Sequence, residues 1–134
     1  MLRISRLTDY ATVILASLGG GSLASAADIA ERIHIGLPTV SKLLKELQHA
    51  GLVKSVRGAR GGYQLARPAT GISAADIIDA VEGPVALTEC SSGSSLCGIA
   101  TTCTVTHGWQ GVSQAIRRAL IGISLTDLVS RDGE

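Results

Sequence analysis

The residues best suited to chemistry are crowded into one stretch. The segment CSSGSSLCGIATTCTVTHGW, Cys90 to Trp109, holds all three cysteines of the 134-residue chain, His107 and the only tryptophan. Six residues separate Cys90 from Cys97 and five separate Cys97 from Cys103. A flexible loop can close such gaps round one centre, and Ser91 to Ser95 supplies that flexibility. An odd number of thiols makes no disulfide framework, and the Ser, Gly and Thr neighbours are too polar to hold them as buried apolar side chains. The spacing has neither the C-x2-C pairs of zinc ribbons nor the C-x-x-C of thiol oxidoreductases. From these residues alone, metal ligation (zinc as Cys3His included), a metal-free thiol sensor and inert cysteines all stay open. No nucleophile stands beside a base and no carboxylate pair occupies a cleft-like context, so the sequence predicts no enzyme.

A second set of residues is basic. Residues 1–70 carry nine Lys and Arg against four Asp and Glu, a net +5, whereas residues 71–134 carry three against seven, a net −4. A basic half joined to an acidic half points to a polyanion-binding module attached to something else. Within the basic half, Thr39, Lys42, Lys45 and His49 lie opposite an apolar stripe, with Ser41 on its flank. Arg57 and Arg60 sit in the run Arg57-Gly-Ala-Arg-Gly-Gly62, whose glycines allow close approach to a nucleic-acid backbone. Arg3 and Arg6 begin the chain and can reach phosphates.

The elements that must position these groups follow from periodicity and punctuation. Ile4, Leu7, Ala11, Ile14, Leu15 and Leu18 recur at helical spacing and predict a helix over 4–18, ended by Gly19 to Ser22. Ser25 caps a short second helix with Ala27, Ile29, Ala30 and Ile33 inward. After a turn at His34 to Gly36, Leu37-Pro38 opens a third helix with Val40, Leu43, Leu44 and Leu47 buried, stopped at Gly51. The alternating runs 52–56 and 63–66 predict a hairpin with a basic tip. Ser73 to Asp76 caps a helix carrying Ile77, Ile78, Ala80 and Val81. A last long helix has Trp109, Val112, Ile116, Ala119, Leu120 and Ile123 on one stripe, and Ser124 to Asp127 caps a final turn before a frayed end at 131–134. The fold class is mainly α with a small β-hairpin wing: a winged helix-turn-helix followed by a long C-terminal helix. The core rests on Leu, Ile, Val and Ala, since the chain has no Phe, one Trp and two Tyr. No apolar run approaches the ~20 residues of a membrane span, and the N-terminus lacks a signal peptide's apolar block, which predicts a cytoplasmic protein with reduced thiols.

Four stretches carry a resemblance that covers nearly the whole chain: LTDYATVILASL, ADIAERIHIGLPTVSKLLKELQHAGLVKSVRGARGGYQLARP, ISAADIIDAVEGPVALTEC, and the cysteine region running into GWQGVSQAIRRALIGISLTDLV. Together they resemble the Rrf2 family of bacterial winged-helix regulators, and within it the branch of IscR-like and SUF-system iron–sulphur assembly regulators. The resemblance implies a DNA-binding domain over 1–70, then a cluster-binding loop at about 88–107 and a dimerisation helix within 71–134. It implies a homodimer on a palindromic operator in double-stranded DNA, with no small-molecule substrate, and repression of iron–sulphur assembly genes. The DNA-binding residues are those read from the chain itself: Arg3, Thr39, Ser41, Lys42, Lys45, Arg57 and Arg60. Cys90, Cys97 and Cys103 match the family's three-cysteine pattern and carry over as ligands of an iron–sulphur cluster, [2Fe–2S] ahead of [4Fe–4S]. Relatives that use a histidine as fourth ligand place it three residues past the third cysteine. That position is Thr106 here and His107 is one further on, a rotation of ~100° along a helix. His107, Glu89, a residue of a second subunit, water or a small thiol all remain as the fourth donor. A zinc site and a metal-free thiol sensor are the alternatives to the cluster.

Overall fold

The computed structural model describes residues 5–83 and 106–130. Arg3, Cys90, Cys97, Cys103, Glu89 and residues 131–134 lie outside them, as does the side chain of His107.

Helix α1 runs Arg6–Ser17. It starts later than the periodicity predicts because Ser5 caps it, its hydroxyl accepting from the Thr8 N–H. Ala11, Ile14, Leu15 and Leu18 are fully enclosed, but Leu7 is exposed and Thr8 is buried in its place. On the Thr8 side the carboxylate of Glu82, from far along the chain, accepts from the Thr8 hydroxyl. Two glycines with positive φ, Gly20 and Gly21, end the helix. Helix α2 (Ala26–Ile33) carries a full capping box: the Asp28 N–H donates to the Ser25 hydroxyl at 3.1 Å and the Ser25 N–H to the Asp28 carboxylate at 3.3 Å. The cap sets the helix phase so that Ala26, not the expected Ala27, packs on the core. His34 closes α2 in the left-handed conformation, φ 57°, and so turns the chain into helix α3 (Leu37–His49). Pro38 occupies the first turn of α3, where no intrahelical partner awaits an N–H.

Strands β1 (Val53–Val56) and β2 (Gly62–Leu65) pair antiparallel, with Val53 opposite Leu65 and Val56 opposite Gly62. The hairpin is tied to the helices by a third extended segment, since Ala24 and Tyr63 exchange both backbone hydrogen bonds, at 3.0 and 2.7 Å. Helix α4 (Ala74–Val81) and helix α6 (Leu125–Ser130) repeat the Ser-x-x-Asp box, with Ser73 and Asp76 and with Ser124 and Asp127. Their two starts are joined by backbone bonds from Ala74 to Ile123 and from Leu125 to Ile72. One core results, in which Val40, Leu43, Leu44 and Leu47 of α3 meet Ile14 and Leu15 of α1, Ile72, Ile77 and Leu125. The described chain is thus mainly helical with one two-stranded wing.

Helix α5 (Thr106–Ile121) departs from expectation. It leans on α4 with Ser113 buried, while Trp109 (45% exposed), Val112 (43%), Ala119 and Ile121 face outward and Ile116 and Leu120 are half-covered. Ile123 lies past the helix end. The periodicity predicts a covered stripe, but the described residues of one chain leave its Trp109, Val112 and Ala119 open.

Candidate nucleic-acid interface and the cysteine segment

The outer side of α3 is positioned by its buried side. With Val40, Leu43, Leu44 and Leu47 locked in the core, a 3.6-residue period turns Lys42, Lys45 and His49 outward, and all three are exposed while Thr39 and Ser41 are half-buried on the flanks. Unlike α1, α2, α4 and α6, helix α3 has no side-chain cap at its start, where Gly36 stands.

The wing is held beside this face. The Gln48 side-chain amide donates to the Ser55 hydroxyl at 3.3 Å, linking the end of α3 to β1, and the Leu52 N–H reaches back to the Leu47 carbonyl. Arg57 and Arg60 are exposed in the five-residue turn 57–61. The glycines that follow, Gly61 and Gly62, are required by the fold itself. A Cβ on Gly61 would lie 2.1 Å from the Val56 carbonyl oxygen, and one on Gly62 would lie 2.5 Å from the Ala24 backbone. Both are needed for the chain to approach itself, at the turn and at the bridge to Ala24. Sequence reasoning missed Lys54, exposed on β1 next to this tip.

Charge at this face is uncommitted. Among the described residues, Lys42, Lys45, Lys54, Arg57 and Arg60 form no ion pair, whereas Arg67 is held by Asp76 at 3.5 Å and by the Gly71 carbonyl. Cations left without an internal partner beside a groove-sized helix are available for phosphates.

The cysteine segment can be located only by what flanks it. It joins the end of α4 to the start of α5, and among the described residues no three His, Cys, Asp or Glu side chains gather into a metal site. Both flanks are fastened. At the end of α4, Glu82 accepts from the Ser5 N–H at 3.3 Å and from the Thr8 hydroxyl, which puts a carboxylate at the positive end of α1. On α5, Arg117 grips Asp79 of α4 with two bonds, at 2.9 and 2.7 Å, and those bonds with the Asp79 charge raise the Arg117 pKa above its ordinary value. Neither link is legible in the sequence, because their partners lie 77 and 38 residues apart and no local pattern announces them. Helix α5 already begins at Thr106, so Thr106 and His107 are its first two residues.

Comparisons with known proteins agree with this architecture. The sequence model of the Rrf2 family, described as an iron-dependent transcriptional regulator, matches residues 4–131. The chain is 43% identical over 107 residues to the helix-turn-helix-type transcriptional regulator ORF2 of Azotobacter vinelandii. That match takes in 80% of this chain and 65%, just under two thirds, of the relative's length. Among solved structures it is similar to CymR, the global cysteine regulator of B. subtilis (33% identity, TM-score 0.71, 98% of each chain). It is similar as well to IscR of T. potens, at 34% identity and TM-score 0.69 over 99% of this chain and 89% of that one. The chain therefore belongs to the Rrf2 family, whose members are transcriptional regulators rather than enzymes.

Proposed function

We propose that α3 and the wing are the DNA interface of a dimeric repressor whose cysteine segment holds an iron–sulphur cluster. The observation that carries the DNA part is the uncommitted basic face: Lys42 and Lys45 on α3, beside Arg57 and Arg60 on a wing bonded to that helix. In this reading α3 enters the major groove with Thr39, Ser41 and Lys42 near base edges. Lys45, Lys54, Arg57, Arg60 and Arg3 neutralise phosphates. The exposed apolar stripe of α5 supports a homodimer, which would set two α3 helices on a palindromic site at a spacing of ~34 Å or a multiple. Such a regulator works in the cytoplasm, where the chromosome is. Replacing Lys42 and Lys45 by alanine should weaken binding to a selected duplex and lower the salt slope by roughly one for each phosphate no longer neutralised. An unchanged slope would remove the lysines from the interface.

For the sensor, the donor set is the support. Three thiols with His107 are the ligand types an iron–sulphur cluster takes, and when bound such a cluster supplies a redox-active centre. The chain's own residues carry any change in the segment to the DNA face: Glu82 bears on the start of α1, and Arg117 with Asp79 fixes α5 to α4. Control of iron–sulphur assembly genes is the output this predicts. Anaerobic purification with iron and sulphide analysis, on wild type and Cys97→Ala, tests it. Stoichiometric iron and sulphide lost in the variant support the cluster; none in either protein overturns it. A metal-free thiol regulator is the second reading, favoured by a likeness to the cysteine regulator CymR as close as that to IscR.

A further inference from the structure

One apolar side chain of α3 does not enter the core. Val40, Leu43, Leu44 and Leu47 are at 0% exposure, but Leu37, the first residue of the same helix, is 45% exposed. It is followed by exposed Pro38 and preceded by exposed Gly36, which bears no side chain. Leu37 is also absent from the partly buried residues packed against the core. The leading turn of α3 therefore presents an apolar surface ahead of the polar and basic positions Ser41, Lys42 and Lys45. A lone exposed leucine is ordinary on a protein surface. This one stands where a helix-turn-helix protein sets its first side chains on base edges. In the major groove most base-edge features are hydrogen-bond donors or acceptors; the apolar one that distinguishes a base pair is the thymine C5-methyl group.

We propose that Leu37 is a specificity-determining residue that packs on one thymine methyl group in each half-site. The inference rests on the reading of α3 as the major-groove helix. The side chain is not packed against the core, and alanine favours a helix, so Leu37→Ala should keep the wild-type circular dichroism spectrum and nearly the wild-type melting temperature.

The test starts from random duplexes selected by the full chain. Each thymine of the selected site is then replaced by uracil, which removes only the methyl group. Wild-type protein should lose about three- to fivefold in affinity at one thymine per half-site, the effect of exposing one methyl group. Leu37→Ala should be indifferent to that replacement and should bind the unmodified site as weakly as wild type binds the uracil site. If no uracil weakens wild-type binding, or if Leu37→Ala keeps the same sensitivity, the inference is overturned. Should Lys42→Ala bind as wild type, or no sequence be selected, the reading of α3 itself fails and the inference with it. A weaker Lys42→Ala without any uracil effect overturns the Leu37 role alone.

Discussion

Helices α3 and α5 are built alike and placed differently. Each carries an apolar stripe at helical spacing, and each has basic residues on other positions. In α3 the stripe is enclosed by α1, α2 and α4, and all four of its members are at 0% exposure. In α5 the side against α4 includes Ser113 and the ion-paired Arg117, while Trp109, Val112 and Ala119 of the stripe look outward. An amphipathic period states that a face requires cover; it does not state whether the same chain provides it. The stripe of α3 builds the fold, and part of the stripe of α5 stays exposed, which is the surface the proposed homodimer would use.

The sharpest way to break this comparison is to truncate one member of each stripe. Leu44→Ala should cost about 2–5 kcal/mol of unfolding free energy in urea, since a fully enclosed leucine leaves a cavity. Val112→Ala, measured dilute enough to hold both proteins monomeric, should change stability by less than about 0.5 kcal/mol. Val112→Glu should instead shift the sedimentation mass toward one chain with the helical content retained. A tolerated Leu44→Ala, or a Val112→Glu that stays dimeric, would remove the distinction between the two helices.

Smaller effects separate the wing from the α4–α5 junction. Gly62→Ala places a methyl group 2.5 Å from the Ala24 backbone. It should cost about 1–3 kcal/mol, as overpacking does, and should weaken DNA binding by freeing the wing, read as faster amide exchange at Tyr63. The Arg117–Asp79 pair is bidentate but partly exposed, at 40% and 29% of the two side chains. A double-mutant cycle with Arg117→Gln and Asp79→Asn should return about 0.5–1 kcal/mol, falling with added salt. A coupling near zero would mean that this pair does not hold α5 to α4.

What the sequence disclosed divides along the range of the interactions. The three Ser-x-x-Asp caps, the α3 stripe and the turn at His34 depend on residues within four positions of each other, and each is in place, the turn through a left-handed His34. The hairpin is readable to within a residue at each strand because its register follows from alternation. Ala27, Leu7 and the α5 stripe depart from the periodic pattern for a common reason: periodicity gives a direction, while burial depends on what arrives from elsewhere. Glu82 arrives at α1 from 77 residues away and accepts from the Thr8 hydroxyl. The purpose of Gly61 and Gly62 is equally hidden in the sequence, since Ala24 becomes a neighbour of the wing only when the wing folds back.

The smallest predicted effect sets the capped helices against α3. The Asp28 carboxyl is held below the usual carboxylate value, first by the Ser25 hydroxyl and then by the Ser25 backbone. Asp127 is lowered in the same direction by the Ser124 backbone and then its hydroxyl. In the unfolded chain both groups regain the ordinary value, so on acidification the unfolded state binds protons first. Their stabilisation is therefore complete above the ordinary carboxylate pKa and is lost as the pH falls through the lowered folded values. Both groups face solvent, so the loss is gentle. In an acid titration followed by amide resonances, Ser25 and Asp28 should shift together below the ordinary carboxylate range, as should Ser124 and Asp127. The first amides of α3 have no carboxylate cap and should stay flat until the whole domain unfolds. If Thr39 and Val40 instead titrate along with Asp28, α2 and α3 respond as one unit and the start of α3 is less independent than its bare cap implies.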